Sequence, residues 1–208
     1  MGILIIQRIF QKFRTVSHRL FITPYYKCIL GSMGAESYIP QSARLENPQN
    51  IYIGKRVWIG RMSWLAANPI TGCLNCTISI GEGSYIGNFA HIYSISKIEI
   101  GQNVLMADKV YITDNLHTYS DVQKPIILQP IQQINNVHIG DGAWIGENVC
   151  IIGSDIGKQT VIGANSVVTR SIPDYCVAVG APARIVKRYS FEKKAWLKTD
   201  GEGNFTEL

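Results

Sequence analysis

The candidate for acid–base chemistry in this 208-residue chain is a histidine within a long segment that lacks any internal repeat. His117 stands in Thr-Asp-Asn-Leu-His-Thr-Tyr-Ser-Asp, residues 113–121, among hydroxyl, amide and carboxylate side chains. An imidazole titrates near neutral pH and can take a proton from a hydroxyl group. The segment therefore offers a general base. The other histidines, His18, His91 and His138, are expected on the solvated surface.

No covalent nucleophile stands in a recognised sequence setting. The chain has no nucleophile elbow, no P-loop, no glycine-rich dinucleotide motif after a strand and no paired histidines at metal spacing. Cys73 and Cys76 form a single Cys-x-x-Cys, and a zinc ribbon needs a second pair, so we expect two loop thiols and no metal site. Five cysteines, an odd number, without a secretory signal favour a reducing, cytoplasmic compartment.

An aliphatic residue recurs every six positions over most of the chain, and glycine usually follows it. A period of six is a multiple of the strand period of two and does not fit the helical period of 3.6. A small or β-branched residue four positions after each anchor suits a narrow interior. The pattern predicts an all-β solenoid, a β-helix with three steps per coil, whose anchors are Ile80, Ile86, Ile92, Ile100, Met106, Ile112, Ile139, Ile145, Ile151, Ile156, Ile162 and Val168.

The repeat is interrupted in four places, and interruptions of a solenoid map to loops. Ile92 to Ile100 and Ile151 to Ile156 only adjust the register, and a turn-rich excursion separates Leu65 from Ile80. The largest interruption, residues 113–137, contains His117 and several bulky aliphatic residues. Long loops in compact folds are commonly functional, so we expect this one to be ordered and to carry the catalytic group.

The repeat divides the chain into three regions. Residues 1–45 are expected to form a helical or capping segment, residues 46–188 the solenoid with its loop at 113–137, and residues 189–208 a tail with a short C-terminal helix. A solenoid grows by stacking coils, so a chain of this length leaves no room for a second catalytic domain.

The net charge of +5 originates in residues 1–30, which hold five cations and no acidic residue, whereas the remainder carries 15 residues of each sign. Apolar residues lie between these cations but form no run long enough to span a membrane. Two interpretations stay open: the segment caps the first coil or a partner subunit, or it makes peripheral contact with an anionic membrane. Nucleic acid is not expected as a partner. The five cations are Arg8, Lys12, Arg14, Arg19 and Lys27.

Several runs of sequence resemble a known family. The segment from Ile112 to Asp121 with the Pro-Ile stretch after it is one, and the others are His-Ile-Gly-Asp-Gly-Ala-Trp-Ile-Gly-Glu-Asn-Val from His138, Val-Ile-Gly-Ala-Asn-Ser-Val-Val-Thr-Arg-Ser-Ile-Pro from Val161, and Gly-Ala-Pro-Ala-Arg from Gly180. Over residues 45–188 the chain resembles the hexapeptide-repeat acyltransferases. Within them it is most similar to the sugar O-acetyltransferases of capsule, exopolysaccharide and lipopolysaccharide O-antigen synthesis, close to the maltose and galactoside acetyltransferase branch. The resemblance implies a left-handed parallel β-helix, a homotrimer and an active site between subunits.

The same resemblance implies roles for individual residues. His117 is the base, although many relatives have a second histidine in this loop where the chain has Asn115. Trp144 lines the acetyl-CoA cleft, and backbone groups near Gly146, Glu147 and Ala164 contact the pantetheine arm. The resemblance also places one hydroxyl and three cations at the nucleotide end of acetyl-CoA, namely Thr169, Arg170, Arg184 and Lys187. The alternative interpretation of these residues is an ordinary basic surface.

The expected acceptor-binding residues rest on position and polarity alone. They are Tyr85, Asn88 and Asp114, and Asp114 has the alternative role of shaping its turn.

The expected function is transfer of acetyl from acetyl-CoA to a sugar hydroxyl, in capsule, exopolysaccharide or lipopolysaccharide O-antigen synthesis. Acceptors such as serine, an amino sugar or an antibiotic hydroxyl stay open, as does a β-helix scaffold without catalysis. A γ-type carbonic anhydrase shares the fold but needs three histidines on zinc, and the four histidines of this chain lack that spacing.

Overall fold

The computed structural model describes residues 18–70, 72 and 75–206 of the chain. A π-helical turn, His18–Ile22, leads into helix α1, Thr23–Ile29, and single 3-10 turns occur at Pro48–Asn50 and Ile126–Leu128. The remaining regular structure is short strands. They are β1 (Ser32–Met33), β2 (Arg44–Glu46), β3 (Ile51–Ile53), β4 (Trp58–Ile59), β5 (Trp64–Ala67), β6 (Thr77–Ile80), β7 (Tyr85–Ile86), β8 (His91–Ser94), β9 (Lys97–Ile100), β10 (Leu105–Met106), β11 (Tyr111–Thr113), β12 (Asn115–His117), β13 (Ile131–Gln133), β14 (Val137–Ile139), β15 (Trp144–Ile145), β16 (Cys150–Ile152), β17 (Val161–Ile162), β18 (Val167–Val168), β19 (Cys176–Gly180), β20 (Ala183–Ser190) and β21 (Ala195–Lys198).

Most of these strands belong to three sheets that the chain visits in rotation. Sheet A has the order β1-β3-β6-β9-β14, sheet B the order β21-β20-β19-β17-β15-β10-β7-β4, and sheet C the order β18-β16-β11-β8-β5-β2. Successive strands β3, β4 and β5 lie in sheets A, B and C, and β6 returns to sheet A parallel to β3. The prediction of a chain made mostly of strands is confirmed, and we call each circuit of three strands one coil.

The aliphatic anchors of the repeat pair with one another from coil to coil. In sheet C, for example, Leu65, Ile92, Ile112 and Ile151 are direct register partners, and all four are fully buried. Equivalent columns run through sheets A and B and join into one core. Full burial of such a side chain contributes about 2 kcal/mol, so the columns are the main source of stability.

The small residues between the anchors fill the interior and tie the coils together. Ser84 is fully buried, donates from its hydroxyl to the Gly101 carbonyl at 2.7 Å and accepts from the Val104 amide at 3.0 Å. A glycine is required where coils approach most closely. A Cβ added to Gly146 would lie 2.5 Å from the backbone nitrogen of Ala164, which is too close for any side chain.

The predicted C-terminal helix is wrong. Residues 183–190 and 195–198 are the antiparallel strands β20 and β21, added to the end of sheet B. Alternate residues of β20, such as Ala183 and Ile185, are buried against the core while Arg184 points outward, which is a strand pattern. The expected boundary at residue 188 falls inside β20.

The N-terminal helical segment covers the first coil. Tyr26 and Leu30 are buried against the core, and the Tyr26 hydroxyl donates to the carbonyl of Pro40 at 3.0 Å. Residues 1–17, with Arg8, Lys12 and Arg14, lie outside the described residues, as does Cys73. In the described part of the chain no helix has the length and apolarity needed to span a membrane.

The long loop between β11 and β14 is anchored through Asp114. This carboxylate is fully buried and accepts hydrogen bonds from the amides of Ile95, Ser96 and Lys97 at 2.9 to 3.0 Å and from the Ser94 hydroxyl at 2.8 Å. The Asn115 side chain donates to it at 2.9 Å. The base of the loop is therefore fixed to the turn of the preceding coil.

His91 was expected on the solvated surface, and the structure corrects this. Its ring stacks on Trp64 with centroids 4.2 Å apart, and Tyr111 packs on it from the next coil at 5.1 Å. Among the described residues the buried Nε2 atom has no hydrogen-bond partner. Burial lowers the pKa of His91 below its ordinary value, the Arg44 guanidinium lowers it further, and Glu46 opposes the shift.

We expect His91 to make the fold less stable in acid. The pKa of His91 in the folded chain is below 6.5, so the unfolded chain binds the proton more readily. The contribution of neutral His91 to the free energy of unfolding is therefore fully present above pH 6.5 and decreases as the pH falls below that value. His91→Phe keeps the ring stack and should remove this part of the dependence. The measurement is the free energy of unfolding in urea between pH 7.5 and 5.5, with exposed His138→Phe as the control. Equal slopes for the wild type and His91→Phe would contradict the assignment.

We expect Asp114→Ala to destabilise the chain by about 3 kcal/mol, because several buried donors would lose their shared acceptor. The urea midpoint should fall markedly, whereas Asp121→Ala, in the exposed part of the same loop, should change it little. A wild-type midpoint for Asp114→Ala would show that the carboxylate does not hold the loop.

Candidate active site

His117 is held by a short hairpin and not by a free loop. Strand β12 pairs antiparallel with β13, and His117 stands opposite Ile131. The Thr118 amide donates to the Pro130 carbonyl at 2.9 Å and continues the ladder. The His117 side chain is exposed, so its imidazole can meet a substrate hydroxyl.

The position of the hairpin in the fold decides where this imidazole can act. Strand β11, before the hairpin, belongs to sheet C, and β14, after it, belongs to sheet A. The hairpin therefore leaves the coil at the edge where the chain crosses from sheet C to sheet A, which we call the C–A edge. Thr169 and Arg170 are at the same edge, because they follow β18 of sheet C directly, and both are exposed.

Asp114 and Asn115 support this hairpin and do not face solvent. Asn115 is buried and its amide nitrogen donates to Asp114 and to the Tyr93 carbonyl at 3.4 Å. The geometry differs from both roles considered for Asp114: the carboxylate is buried, and it bonds the backbone of the preceding coil and not that of its own turn. Asn115, the position at which the resemblance implied a second histidine in many relatives, acts in the same anchor.

A second group of candidates lies on the outer face of sheet B. Trp144, Val161, Val177 and Lys187 are register partners on four neighbouring strands, so Trp144 and Lys187 stand in one row. Strands are about 4.8 Å apart, which puts the two residues roughly 14 Å from each other. Trp144 is 51% exposed, and Arg184 is exposed opposite Val179 on the same hairpin.

Three further candidates stand at the turns that follow sheet B. Gly146 donates its amide to the Ile162 carbonyl at 2.8 Å, so this N–H is already used within the coil. The Glu147 carboxylate pairs with Lys109 at 3.0 Å, and its carbonyl accepts from the Asn165 amide. Ala164 is exposed. The resemblance implied that backbone groups of these three residues contact the pantetheine arm. Backbone groups that already form hydrogen bonds within the coil are not free to bind it.

Tyr85 and Asn88 line one groove of about 520 Å³ at the first coils. Its walls include Trp58, whose ring is parallel to that of Tyr85, and the exposed Phe89. The Asn88 amide group donates to Asp108 at 3.1 Å, and its oxygen accepts from the Arg61 amide. Tyr85 therefore presents the freer polar group of the two.

Sequence reasoning missed Lys198. This residue lies directly opposite Lys187 in the β20–β21 pair, and both side chains are exposed. Like charges placed opposite one another destabilise a sheet, so the pair favours an anion between them. The alternation of β21 could have shown which side Lys198 faces, but only once the segment is known to be a strand.

The candidates thus form two groups on different sides of one chain. His117, Thr169 and Arg170 are at the C–A edge, and Trp144, Arg184 and Lys187 are on sheet B, which does not share that edge. Within the described residues no three His, Cys, Asp or Glu side chains cluster as metal ligands.

The chain matches a number of known proteins and solved structures, among them two sequence relatives and one structure that bear on function, while no family model matches. The chain is 40% identical to WbbJ of Escherichia coli K12, named as a lipopolysaccharide biosynthesis O-acetyl transferase, over 58% of this chain and 65% of that protein. It is 30% identical to the galactoside O-acetyltransferase of the same organism, over 68% of each chain. The chain thus spans slightly less than two thirds of WbbJ.

The solved structure is a hexapeptide-repeat acetyltransferase from Vibrio cholerae in complex with acetyl coenzyme A. It has a TM-score of 0.58 and 22% identity, and the likeness covers 79% of this chain and 74% of that one. At this identity the likeness shows a shared fold. Together with the two sequence relatives, it shows that the chain belongs to the hexapeptide-repeat acetyltransferases.

Proposed function

We propose that this chain is an acetyl-CoA-dependent O-acetyltransferase that acts on a saccharide hydroxyl, with His117 as its general base. In this proposal the coil is left-handed and three chains form a homotrimer. The observation that carries it is the division of the candidates between the C–A edge and sheet B. Each group would supply half of an active site. The C–A edge of one chain would face sheet B of the neighbouring chain in the trimer.

The donor half fits the chemistry of acetyl-CoA. Lys187 and Lys198 are like charges held opposite each other, with Arg184 on the same hairpin, and such a cluster suits phosphate groups. Trp144, in the row of Lys187, offers an apolar surface for the arm that joins the phosphates to the thioester. Thr169 and Arg170 of the neighbouring chain would complete the nucleotide end.

His117 would act at the acceptor. Acetyl-CoA supplies an activated acetyl group, and the imidazole takes the proton from the attacking sugar hydroxyl as the new ester bond forms. The same nitrogen then returns this proton to the departing sulfur, so the base is regenerated in each turnover. A backbone N–H of the cleft would stabilise the negative charge that develops on the carbonyl oxygen.

The acceptor side is supported by the groove beside Tyr85. Aromatic walls with a few polar groups suit a saccharide, which has both apolar faces and hydroxyls. The name of WbbJ, which refers to lipopolysaccharide biosynthesis, supports an acceptor in polysaccharide synthesis. Our proposal includes capsule, exopolysaccharide and O-antigen as such acceptors and places the reaction in the cytoplasm.

His117→Ala should lower turnover by roughly two to four orders of magnitude and leave acetyl-CoA affinity unchanged, because a positioned base contributes about that much. The measurement is free-thiol release with a panel of saccharides, together with calorimetry of acetyl-CoA binding. The matched control is His138→Ala, since His138 is an exposed histidine on sheet A. More than about a tenth of wild-type turnover would reject the base, because that loss is under ~1.4 kcal/mol in the barrier.

Assemblies that contain two different variant subunits test whether the site is formed by two neighbouring chains. His117→Ala subunits co-assembled with Arg184→Ala/Lys187→Ala subunits should regain activity when acetyl-CoA is far below the KM of the second variant, since some interfaces then combine two intact halves. No recovery would show that one chain holds the whole site. A wild-type chain that does not bind acetyl-CoA would instead support a scaffold.

Lys187→Ala and Lys198→Ala should each raise the KM for acetyl-CoA about tenfold, the effect of losing ~1 to 2 kcal/mol of phosphate contact, with kcat little changed. Lys193→Ala, in the exposed turn between β20 and β21, is the control and should leave KM unchanged. Steady-state kinetics at two salt concentrations measures the effect. If KM is unchanged in both variants, the phosphates bind elsewhere.

A further inference from the structure

The N-terminal helical segment is apolar on two sides. One side, with Tyr26 and Leu30, is buried on the first coil. On the other side, Leu20, Phe21 and Tyr25 are 60%, 71% and 57% exposed. The outer side of a surface helix is ordinarily polar, so this exposed set, the N-terminal apolar face, indicates a partner.

The charge along the sequence of this segment has a single sign. Arg19 and Lys27 flank it, Arg8, Lys12 and Arg14 precede it, and the first acidic residue of the chain is Glu36. All 15 acidic residues therefore lie after position 35, where they balance the other 15 cations. A partner for this region must accept apolar side chains and carry negative charge.

We propose that the N-terminal apolar face binds the surface of an anionic lipid bilayer. Leu20, Phe21 and Tyr25 would enter the boundary between headgroups and acyl chains, and the cations would lie at the headgroups. Each Lys or Arg near such a surface contributes about fivefold to binding. The inference concerns where the protein is held, and it does not rest on the proposed acetyl transfer.

Charge complementarity favours a bilayer over the other occupants of such a face. A second copy placed here would bring a segment of five cations and no acidic residue against an identical segment. Nucleic acid would satisfy the cations but leave the three exposed apolar side chains without a contact. An anionic bilayer satisfies both.

The test is sedimentation of the full chain with vesicles of 30% phosphatidylglycerol in phosphatidylcholine, compared with pure phosphatidylcholine. We expect at least tenfold stronger binding to the anionic vesicles, falling at high salt because the charges are screened. Leu20→Ser/Phe21→Ser/Tyr25→Ser should lose at least tenfold of this binding. Val122→Ser/Ile127→Ser, a control at two exposed aliphatic residues of the loop between β11 and β14, should lose none.

Arg19→Gln/Lys27→Gln removes charge without touching the apolar face and should also weaken binding to anionic vesicles. The urea midpoint of each variant checks that it is folded. Equal binding of wild type to both vesicles, or wild-type binding by the folded triple variant, overturns the proposal. So does a triple variant that changes only the oligomeric state in sedimentation velocity. Calorimetry with acetyl-CoA is read separately, so failure of the enzymatic proposal leaves this one standing.

Discussion

The columns of buried aliphatic side chains, paired in register from coil to coil, are the constraint on which the rest of the structure depends. Because Ile92, Ile112 and Ile151 stack directly, every outward residue of sheet C also stands above a residue of the preceding coil. The coil spacing is thereby fixed at that of hydrogen-bonded strands, about 4.8 Å. Residues far apart in sequence, such as Trp144 and Lys187, are brought into one row by the core and not by contacts of their own.

The six-residue period made the buried columns and the main loop predictable, because side-chain alternation along a strand is a local property. The C-terminal strands were not predictable in the same way, since a short stretch of mixed aliphatic and charged residues fits a helix or a strand. What decides between them is the open edge of β19, to which β20 adds. That edge exists only once the preceding coils have formed.

The candidate site was predictable from the sequence only in part, for the same reason. His117 could be found from its residue type and its place in a segment without repeat, but the partners of Asp114 are 17 to 20 residues earlier and only the stacking of coils brings them together. His91 is the reverse case. Its outward orientation was foreseeable, whereas its burial comes from the rings of Trp64 and Tyr111 in the neighbouring coils.

The reversal of direction at β20 has a consequence for the length of the particle. A stack of parallel strands has an open edge on which a further copy could continue the same sheet, as in fibres. In sheet B that edge is occupied by a hairpin, in which β20 runs antiparallel to β19 and β21 runs antiparallel to β20. A second molecule approaching end to end would meet β21, a strand of four residues that carries the exposed Lys198. A short, charged edge strand disfavours pairing with another chain, so sheet B resists end-to-end growth into a filament.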